Sequence, residues 1–112
     1  MMSRICYIEL PASNLPSTRA FYSDAFGFAL TDYGPSYSCT TTGVVDIGLQ
    51  GDLSEATTAP LAVIAVDDLE ACLEAVTQAG GVITKPLFAF PGGRRFHFRD
   101  PSGNELAALK AD

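Results

Sequence analysis

The first residues of the chain alternate between apolar and polar side chains, the period expected of a half-buried β-strand. Over residues 4–10 one face carries Cys6, Ile8 and Leu10, and the other carries Ile5, Tyr7 and Glu9. A helix is predicted after this strand, because Asn14 can cap its start and Gly27 can end it. Three further strands are predicted over 28–33, 37–42 and 44–50.

The same order of elements restarts after the short polar segment 51–60. An apolar strand is predicted over 61–66 and a helix over 69–79, followed by strands near 82–89, 94–99 and 105–110. Adding 54 to positions 14 and 27 gives 68 and 81, so the caps Asn14 and Asp68 coincide, as do Gly27 and Gly81. The pattern predicts an α+β fold of two tandem βαβββ modules, 4–50 and 61–110, in a single domain of residues 1–112.

The predicted strand 94–99 separates two kinds of side chain. Phe96 and Phe98 share one face with Arg94, and the other face carries Arg95, His97 and Arg99. The phenylalanines are expected to pack under the helices, so the opposite face presents a row of cations. An ordinary solvated sheet face would also carry charges. The mixed chemistry of Tyr7, Glu9 and His97 favours a polar-lined cleft instead.

Composition narrows the functional classes. The chain has 112 residues and a net charge of -6, which makes nucleic acid an unsuitable general partner. No apolar run approaches the roughly 18 residues of a membrane span, and the first residues lack the features of a signal peptide. Three widely spaced cysteines are typical of free thiols in a reducing cytoplasm, where we expect the protein to be.

Three segments resemble one known family: YIELPASNLPSTRAFYSDAFGF, AVDDLEACLEAVTQAGG and FHFRDPSGNELAAL. Together they are similar to the vicinal oxygen chelate superfamily, which includes glyoxalase I, the bleomycin- and fosfomycin-resistance proteins and the extradiol dioxygenases. The resemblance implies two βαβββ modules, each curling a sheet around a cleft. It also implies a homodimer in which a cleft pairs modules from two chains.

The resemblance further implies where a metal would bind. The family's ligand positions correspond here to Tyr7, about Gly48, Leu61 and Ala107. Leucine, alanine and glycine side chains offer no donor atom, and a tyrosine phenol is usually protonated. The chain is therefore similar to the metal-free branch, and we expect no metal and no other cofactor at these positions.

Other family positions match polar residues. The resemblance places Glu9 and His97 in the ligand cleft as candidate catalytic residues, a carboxylate and an imidazole able to act as base and acid. Arg95 lies on the same face as His97 and can bind a carboxylate or phosphate. The predicted substrate-binding residues are Tyr7, Arg95, Gln50 and Leu61. A purely structural Glu9–Arg95 ion pair is an equally open interpretation, and Arg99 is expected to pair with Glu105.

Three functions stay open at this point. The first is a glyoxalase-like protein that either binds a small polar or anionic metabolite or acts on it as a metal-independent enzyme. The second is a sequestering protein of the bleomycin-resistance type, with an aromatic groove drawn from Phe28, Tyr33, Tyr37, Phe88 and Phe90. The third is a metal-dependent lyase or dioxygenase with relocated ligands, for instance Glu9, His97 and Asp46. A cysteine nucleophile is disfavoured, because Cys6 and Cys72 lie on apolar faces and Cys39 has no base nearby in the pattern.

Overall fold

A computed structural model of the chain describes residues 2–112 and contains ten elements in two compact units. They are β1 (Ser3–Pro11), α1 (Leu15–Phe26), β2 (Thr31–Asp32), β3 (Tyr37–Cys39), β4 (Asp46–Gln50), β5 (Leu61–Val66), α2 (Leu69–Gln78), β6 (Val82–Phe90), β7 (Gly93–Arg99) and β8 (Glu105–Ala111). One unit is Tyr7–Leu61, and the other joins Ala62–Asp112 to the residues up to Cys6. The order of elements confirms the predicted α+β class and the repeated βαβββ pattern.

In the unit Tyr7–Leu61, β1 runs parallel to β4, while β3 is antiparallel to both β4 and β2. Glu9 and Cys39 both lie opposite Gly48 in this pairing, so they share one face of the sheet. Ser38 lies opposite Leu49 on the other face, and both are buried. The helix α1 contacts β4. The alternation predicted for the first strand is therefore confirmed, with its polar side chains on one face.

The unit containing Ala62–Asp112 repeats this scheme. Its first strand, β5, is parallel to its last, β8, while β7 is antiparallel to both β8 and β6. A core of buried side chains lies between the sheet and α2: Val66, Leu69, Cys72, Phe96 and Ala108. Phe98 packs against this core. The prediction that the phenylalanines of β7 face a helix is thus confirmed, and it leaves Arg95 and His97 on the opposite face.

Both helices begin at the predicted caps. The Asn14 side chain accepts a hydrogen bond from the Ser17 N–H at 3.2 Å, and the Asp68 side chain accepts one from the Ala71 N–H at 3.0 Å. The first helix ends at Gly27, whose φ of 69° is left-handed. Neither of the helices within residues 2–112 is long and apolar enough to cross a membrane.

Three predicted strands, β2, β3 and β4, are shorter than the pattern indicated. Residues 28–30 are not part of β2, because α1 satisfies their backbone: the Phe28 N–H donates to Tyr22, and the Leu30 carbonyl accepts from Arg19 at 2.8 Å. Residues 40–45 form a turn around Asp46 instead of extending β3 and β4. In these segments hydrogen bonds of the Arg19 and Asp46 side chains replace strand pairing. The alternation of apolar and polar residues does not reveal such bonds.

Candidate functional site

The polar face of the unit Tyr7–Leu61 carries a cluster of hydroxyl groups. The Tyr7 and Tyr37 hydroxyl oxygens are 2.6 Å apart. A β-carbon added at Gly48 would collide with both hydroxyls, so the tyrosine oxygens occupy the space that a side chain at position 48 would need. Glu9, only 6% exposed, belongs to the same face, and its charge acts on Tyr37. We call Tyr7, Tyr37, Glu9 and Gly48 the hydroxyl cluster.

The environment of this cluster keeps both phenols in their neutral form. Either hydroxyl can donate the hydrogen bond that joins Tyr7 to Tyr37. Burial, followed by the neighbouring Tyr37 hydroxyl, raises the pKa of Tyr7 far above its ordinary value. Burial and then the charge of Glu9 likewise raise the pKa of Tyr37. Both phenols therefore stay protonated at neutral pH and act as neutral donors.

Three other predicted residues of this unit are placed as follows. The side-chain oxygen of Gln50 accepts a hydrogen bond from the Asp52 N–H at 2.9 Å. Leu61 is fully buried. Asp46 accepts from the Thr40 hydroxyl and from the Gly43 N–H, both at 2.8 Å. The same carboxyl oxygen receives both bonds, which gives Asp46 a structural role in the turn between β3 and β4.

The only histidine of the chain lies on the sheet face opposite α2 in the other unit. His97 is 2% exposed, and its Nδ1 atom is 3.1 Å from the Glu105 Oε2 atom. Its Nε2 atom is buried and has no hydrogen-bond partner within residues 2–112. A buried polar atom in this state costs about 1–3 kcal/mol. Such a group needs a functional explanation or a partner supplied from outside the chain.

Cations and aromatic rings surround this imidazole. Lys85 lies opposite His97 in the pairing of β6 with β7, and Arg95 is one strand period away on the same face. The Arg95 guanidinium lies 5.3 Å from the Phe88 ring centre and 5.5 Å from the Phe90 ring centre. The Phe88 and His97 rings are 5.9 Å apart. We call these five residues the imidazole–cation cluster.

The surroundings keep the imidazole neutral. Burial is the main cause that lowers the pKa of His97 below its ordinary value of 6.5. The charges of Arg95 and Lys85 lower the pKa further, and the hydrogen bond to Glu105 opposes them. The net direction is downward, so at neutral pH His97 is an uncharged group beside two cations.

The other two arginines of β7 are held by structural partners. Arg94, on the face that packs against α2, forms an ion pair with Glu70 at 2.6 Å. Arg99 donates to the Gly103 carbonyl at 2.9 Å and lies 3.8 Å from Glu105, which confirms the predicted Arg99–Glu105 pair. Arg95 lies beside His97 and the rings of Phe88 and Phe90.

Cys39 and Cys72 are poor nucleophiles. Each is buried, and burial raises the pKa of both thiols. The Cys6 thiol donates to the Val63 carbonyl at 3.6 Å.

Sequence reasoning missed four features of these clusters: the hydrogen bond of Tyr37 with Tyr7, the presence of Lys85, Glu105 as a partner of His97, and the place of Phe88 beside the imidazole. The sequence analysis names Tyr37 and Phe88 only as members of an aromatic groove. Tyr37 and Glu105 could have been found by extending the period-two alternation to β3 and β8. Lys85 and Phe88 could not, because register shifts on both sides of Lys85 break the alternation of β6. Glu9 and His97 belong to different compact units, and their predicted meeting in one cleft stays a prediction.

The repeated βαβββ order and these polar sheet faces define an α+β protein built by duplication. The sequence model of the Glyoxalase/Bleomycin resistance protein/Dioxygenase superfamily matches residues 4–108, and the chain belongs to this superfamily. No match was found among curated proteins.

Solved structures share this fold at low sequence identity. A superfamily member from Vibrio splendidus 12B01 is 20% identical with a TM-score of 0.76, over 97% of this chain and 99% of that one. A hypothetical protein from Bacillus halodurans C-125 is 14% identical with a TM-score of 0.80, over 100% and 96%. Methylmalonyl-CoA epimerase from Mycobacterium tuberculosis is 14% identical with a TM-score of 0.77, over 96% and 87%. These likenesses show the fold.

The residues at the family's metal positions do not suit a metal. Tyr7 keeps its proton and hydrogen-bonds to Tyr37, and any side chain at Gly48 would collide with the two hydroxyls. Leu61 and Ala107 are fully buried and apolar. Within residues 2–112, no group of three or more His, Cys, Asp or Glu side chains is placed to hold a metal ion.

Proposed function

We propose that this protein is a metal-independent, glyoxalase-like protein that binds a small anionic molecule at the imidazole–cation cluster. The observation that carries the proposal is the buried Nε2 atom of His97, which lacks a partner within residues 2–112 and lies on the same face as Arg95 and Lys85. Two cations on one sheet face are suited to a carboxylate or phosphate, and the unpartnered imidazole nitrogen calls for a further polar group of the ligand beside them.

The negative charge of the whole chain makes the positive charges of the imidazole–cation cluster significant for anion binding. The chain carries a net charge of -6, which repels anions at long range. Selective binding of an anion therefore requires a local concentration of positive charge. The rings of Phe88 and Phe90 lower the polarity around Arg95, which strengthens its interaction with a bound anion.

Arginine substitutions test the proposal. Titration calorimetry with acetate, inorganic phosphate and sulfate is expected to detect binding that Arg95→Ala weakens by about 1.5–3 kcal/mol, the worth of a hydrogen bond to a charged group. Arg94→Ala is the matched control, because this neighbour lies on the opposite face and pairs with Glu70. The proposal fails if Arg95→Ala and His97→Ala bind every one of these anions as the unchanged protein does.

The aromatic rings favour a second candidate, a sequestering protein of the bleomycin-resistance type. Phe88 and Phe90 are half-buried and flank Arg95, so they offer a flat apolar surface to a ligand. Whether the bound molecule is converted or released unchanged distinguishes an enzyme from a sequestering protein. An enzyme that uses His97 as acid or base converts its ligand and loses turnover in His97→Gln, whereas a sequestering protein returns the ligand unchanged.

A further inference from the structure

Glu105 is positioned to control the protonation of His97. Its Oε2 atom lies 3.1 Å from the His97 Nδ1 atom and accepts a hydrogen bond from the Thr84 hydroxyl at 3.2 Å. Its Oε1 atom lies 3.8 Å from Arg99. The carboxylate is thus held by contacts from β6 and β7. Because a carboxylate oxygen can only accept, the Nδ1 atom of His97 must carry the hydrogen.

The opposite nitrogen is left with a lone pair. A neutral imidazole has one N–H donor and one acceptor, so a hydrogen on Nδ1 makes Nε2 an acceptor. This acceptor is buried with no donor within residues 2–112. The charged groups that face His97 are Glu105 on β8, Arg95 on β7 and Lys85 on β6. The two cations disfavour a second proton on the ring, which keeps the Nε2 lone pair available.

We infer that Glu105 is a positioning residue that holds His97 with its hydrogen on Nδ1, and that the ligand supplies a hydroxyl or N–H donor to Nε2 beside its anionic group. This inference rests on the proposed function, since it adds a donor to the anion that Arg95 binds. The ligand class is therefore a hydroxy- or amino-substituted carboxylate or phosphate. A simple anion would leave the buried acceptor unpaired, and a site of this kind discriminates against ligands that lack the donor.

The single histidine allows a direct test of the role of Glu105. With ¹⁵N-labelled histidine, the spectrum contains one imidazole, and long-range ¹H–¹⁵N correlations report which nitrogen carries the hydrogen. We expect a protonated Nδ1 and an unprotonated Nε2 at pH 7.5. Glu105→Ala should shift the ring toward the other tautomer or a mixture, while Glu105→Gln, whose amide oxygen still accepts, should preserve it. Glu70→Ala, which removes an exposed carboxylate on α2, is the control and should leave the spectrum unchanged.

Pairs of carboxylates that differ by one hydroxyl group test whether the ligand must donate a hydrogen bond to Nε2 of His97. Glycolate and lactate should bind at least about tenfold more tightly than acetate and propionate, the effect of one hydrogen bond to a buried acceptor.

Circular dichroism establishes that each variant is folded. An Nε2–H tautomer in the unchanged protein, or a folded Glu105→Ala variant with an unaltered ring, overturns the role of Glu105. Equal affinity within each ligand pair overturns the donor requirement but leaves the proposed anion binding intact. If none of the four carboxylates binds, the proposed function and the ligand class are both overturned. The ¹H–¹⁵N spectrum needs no ligand, so it decides the role of Glu105 in either case.

Discussion

Gly48 illustrates how the absence of one side chain can determine what its neighbours do. Without a β-carbon at this position, the Tyr7 and Tyr37 hydroxyls approach each other directly over the strand. The resemblance to metal-binding relatives places a glutamate near this position, and here two neutral phenols occupy the equivalent space. Glycine at position 48, which has no functional group of its own, thus determines which groups form the hydroxyl cluster.

We predict that Gly48→Ala destabilises the protein by about 1–3 kcal/mol, the usual cost of overpacking. The added methyl group would meet the two hydroxyl oxygens, which cannot move apart without losing their hydrogen bond. Urea denaturation measures the loss. In a Tyr7→Phe/Tyr37→Phe background the same substitution should cost less, because the two oxygens are gone and the close contact with the ring carbon of residue 7, at 2.7 Å, is what remains. An equal cost in both backgrounds would show that the clash lies elsewhere.

The lowered pKa of His97 predicts a pH dependence of stability. Between the lowered pKa and 6.5 the unfolded chain binds a proton that the folded chain does not, so the free energy of unfolding rises with pH across this range. Stability is fully present above 6.5 and falls as the pH drops, by at most about 1.4 kcal/mol per pH unit. Denaturation curves between pH 5 and 7.5 measure this slope.

The matched variant for this measurement is His97→Gln, which has no group that titrates in the range. It should flatten the slope between pH 5 and 6.5, whatever its absolute stability. The carboxylates with lowered pKa, such as Glu70 and Asp100, destabilise the fold in acid as well, but only near and below their ordinary pKa values. An undiminished slope in His97→Gln would assign the dependence to other groups.

At the scale of secondary structure, helix-capping residues and strand alternation were sufficient to predict where the elements lie. The caps Asn14 and Asp68 and the alternation of β1 and β7 lie where the sequence predicts them, because each depends on neighbouring residues alone. The predicted lengths of β2, β3 and β4 were wrong. Arg19 binds the Leu30 carbonyl from 11 residues away, and Asp46 binds the turn between β3 and β4. Period-two alternation does not register hydrogen bonds between a side chain and the backbone.

The same distinction holds for the site. Period-two alternation predicted that Arg95 and His97 share a face, since that property belongs to one strand. The partners of His97 come from β6 and β8, and the register shifts of β6 decide that Lys85 lies opposite the imidazole. The raised pKa of Tyr37 depends on its burial and then on the charge of Glu9, which lies on a different strand. Strand pairing and register are therefore the information that the sequence pattern lacks.

For the second helix, we predict that Asp68→Ala lowers stability by about 0.5–2 kcal/mol, because the Ala71 N–H loses its acceptor. Thermal or chemical denaturation with helix content followed by circular dichroism measures the change. Asp67→Ala, one residue earlier, is the control, since the contact that Asp67 makes within residues 2–112 is an exposed hydrogen bond of 3.5 Å with the Met2 N–H. A larger loss in the control than in Asp68→Ala would contradict the assignment of the cap.

At the scale of the whole molecule, we predict a homodimer. The resemblance implies that two-module chains pair, and large apolar side chains such as Phe21 and Phe26 are more than half exposed. Two-fold pairing would cover such surface. Sedimentation equilibrium at micromolar concentration should give twice the chain mass of 11.8 kDa. A single species of 11.8 kDa would refute the dimer.

The alternation along β7 restricts how this chain can change length during evolution. Removing or adding one residue between Gly93 and Arg99 would shift every later side chain of the strand to the opposite face. Arg95 and His97 would exchange places with Phe96 and Phe98, which would bring cations against the core at α2. Changes by two residues preserve the faces, and the tight turn after Arg99 can absorb an insertion without affecting them. Homologous chains that retain this chemistry should therefore vary in length at the turns, and an odd-numbered insertion within β7 should occur only together with a bulge that restores the alternation.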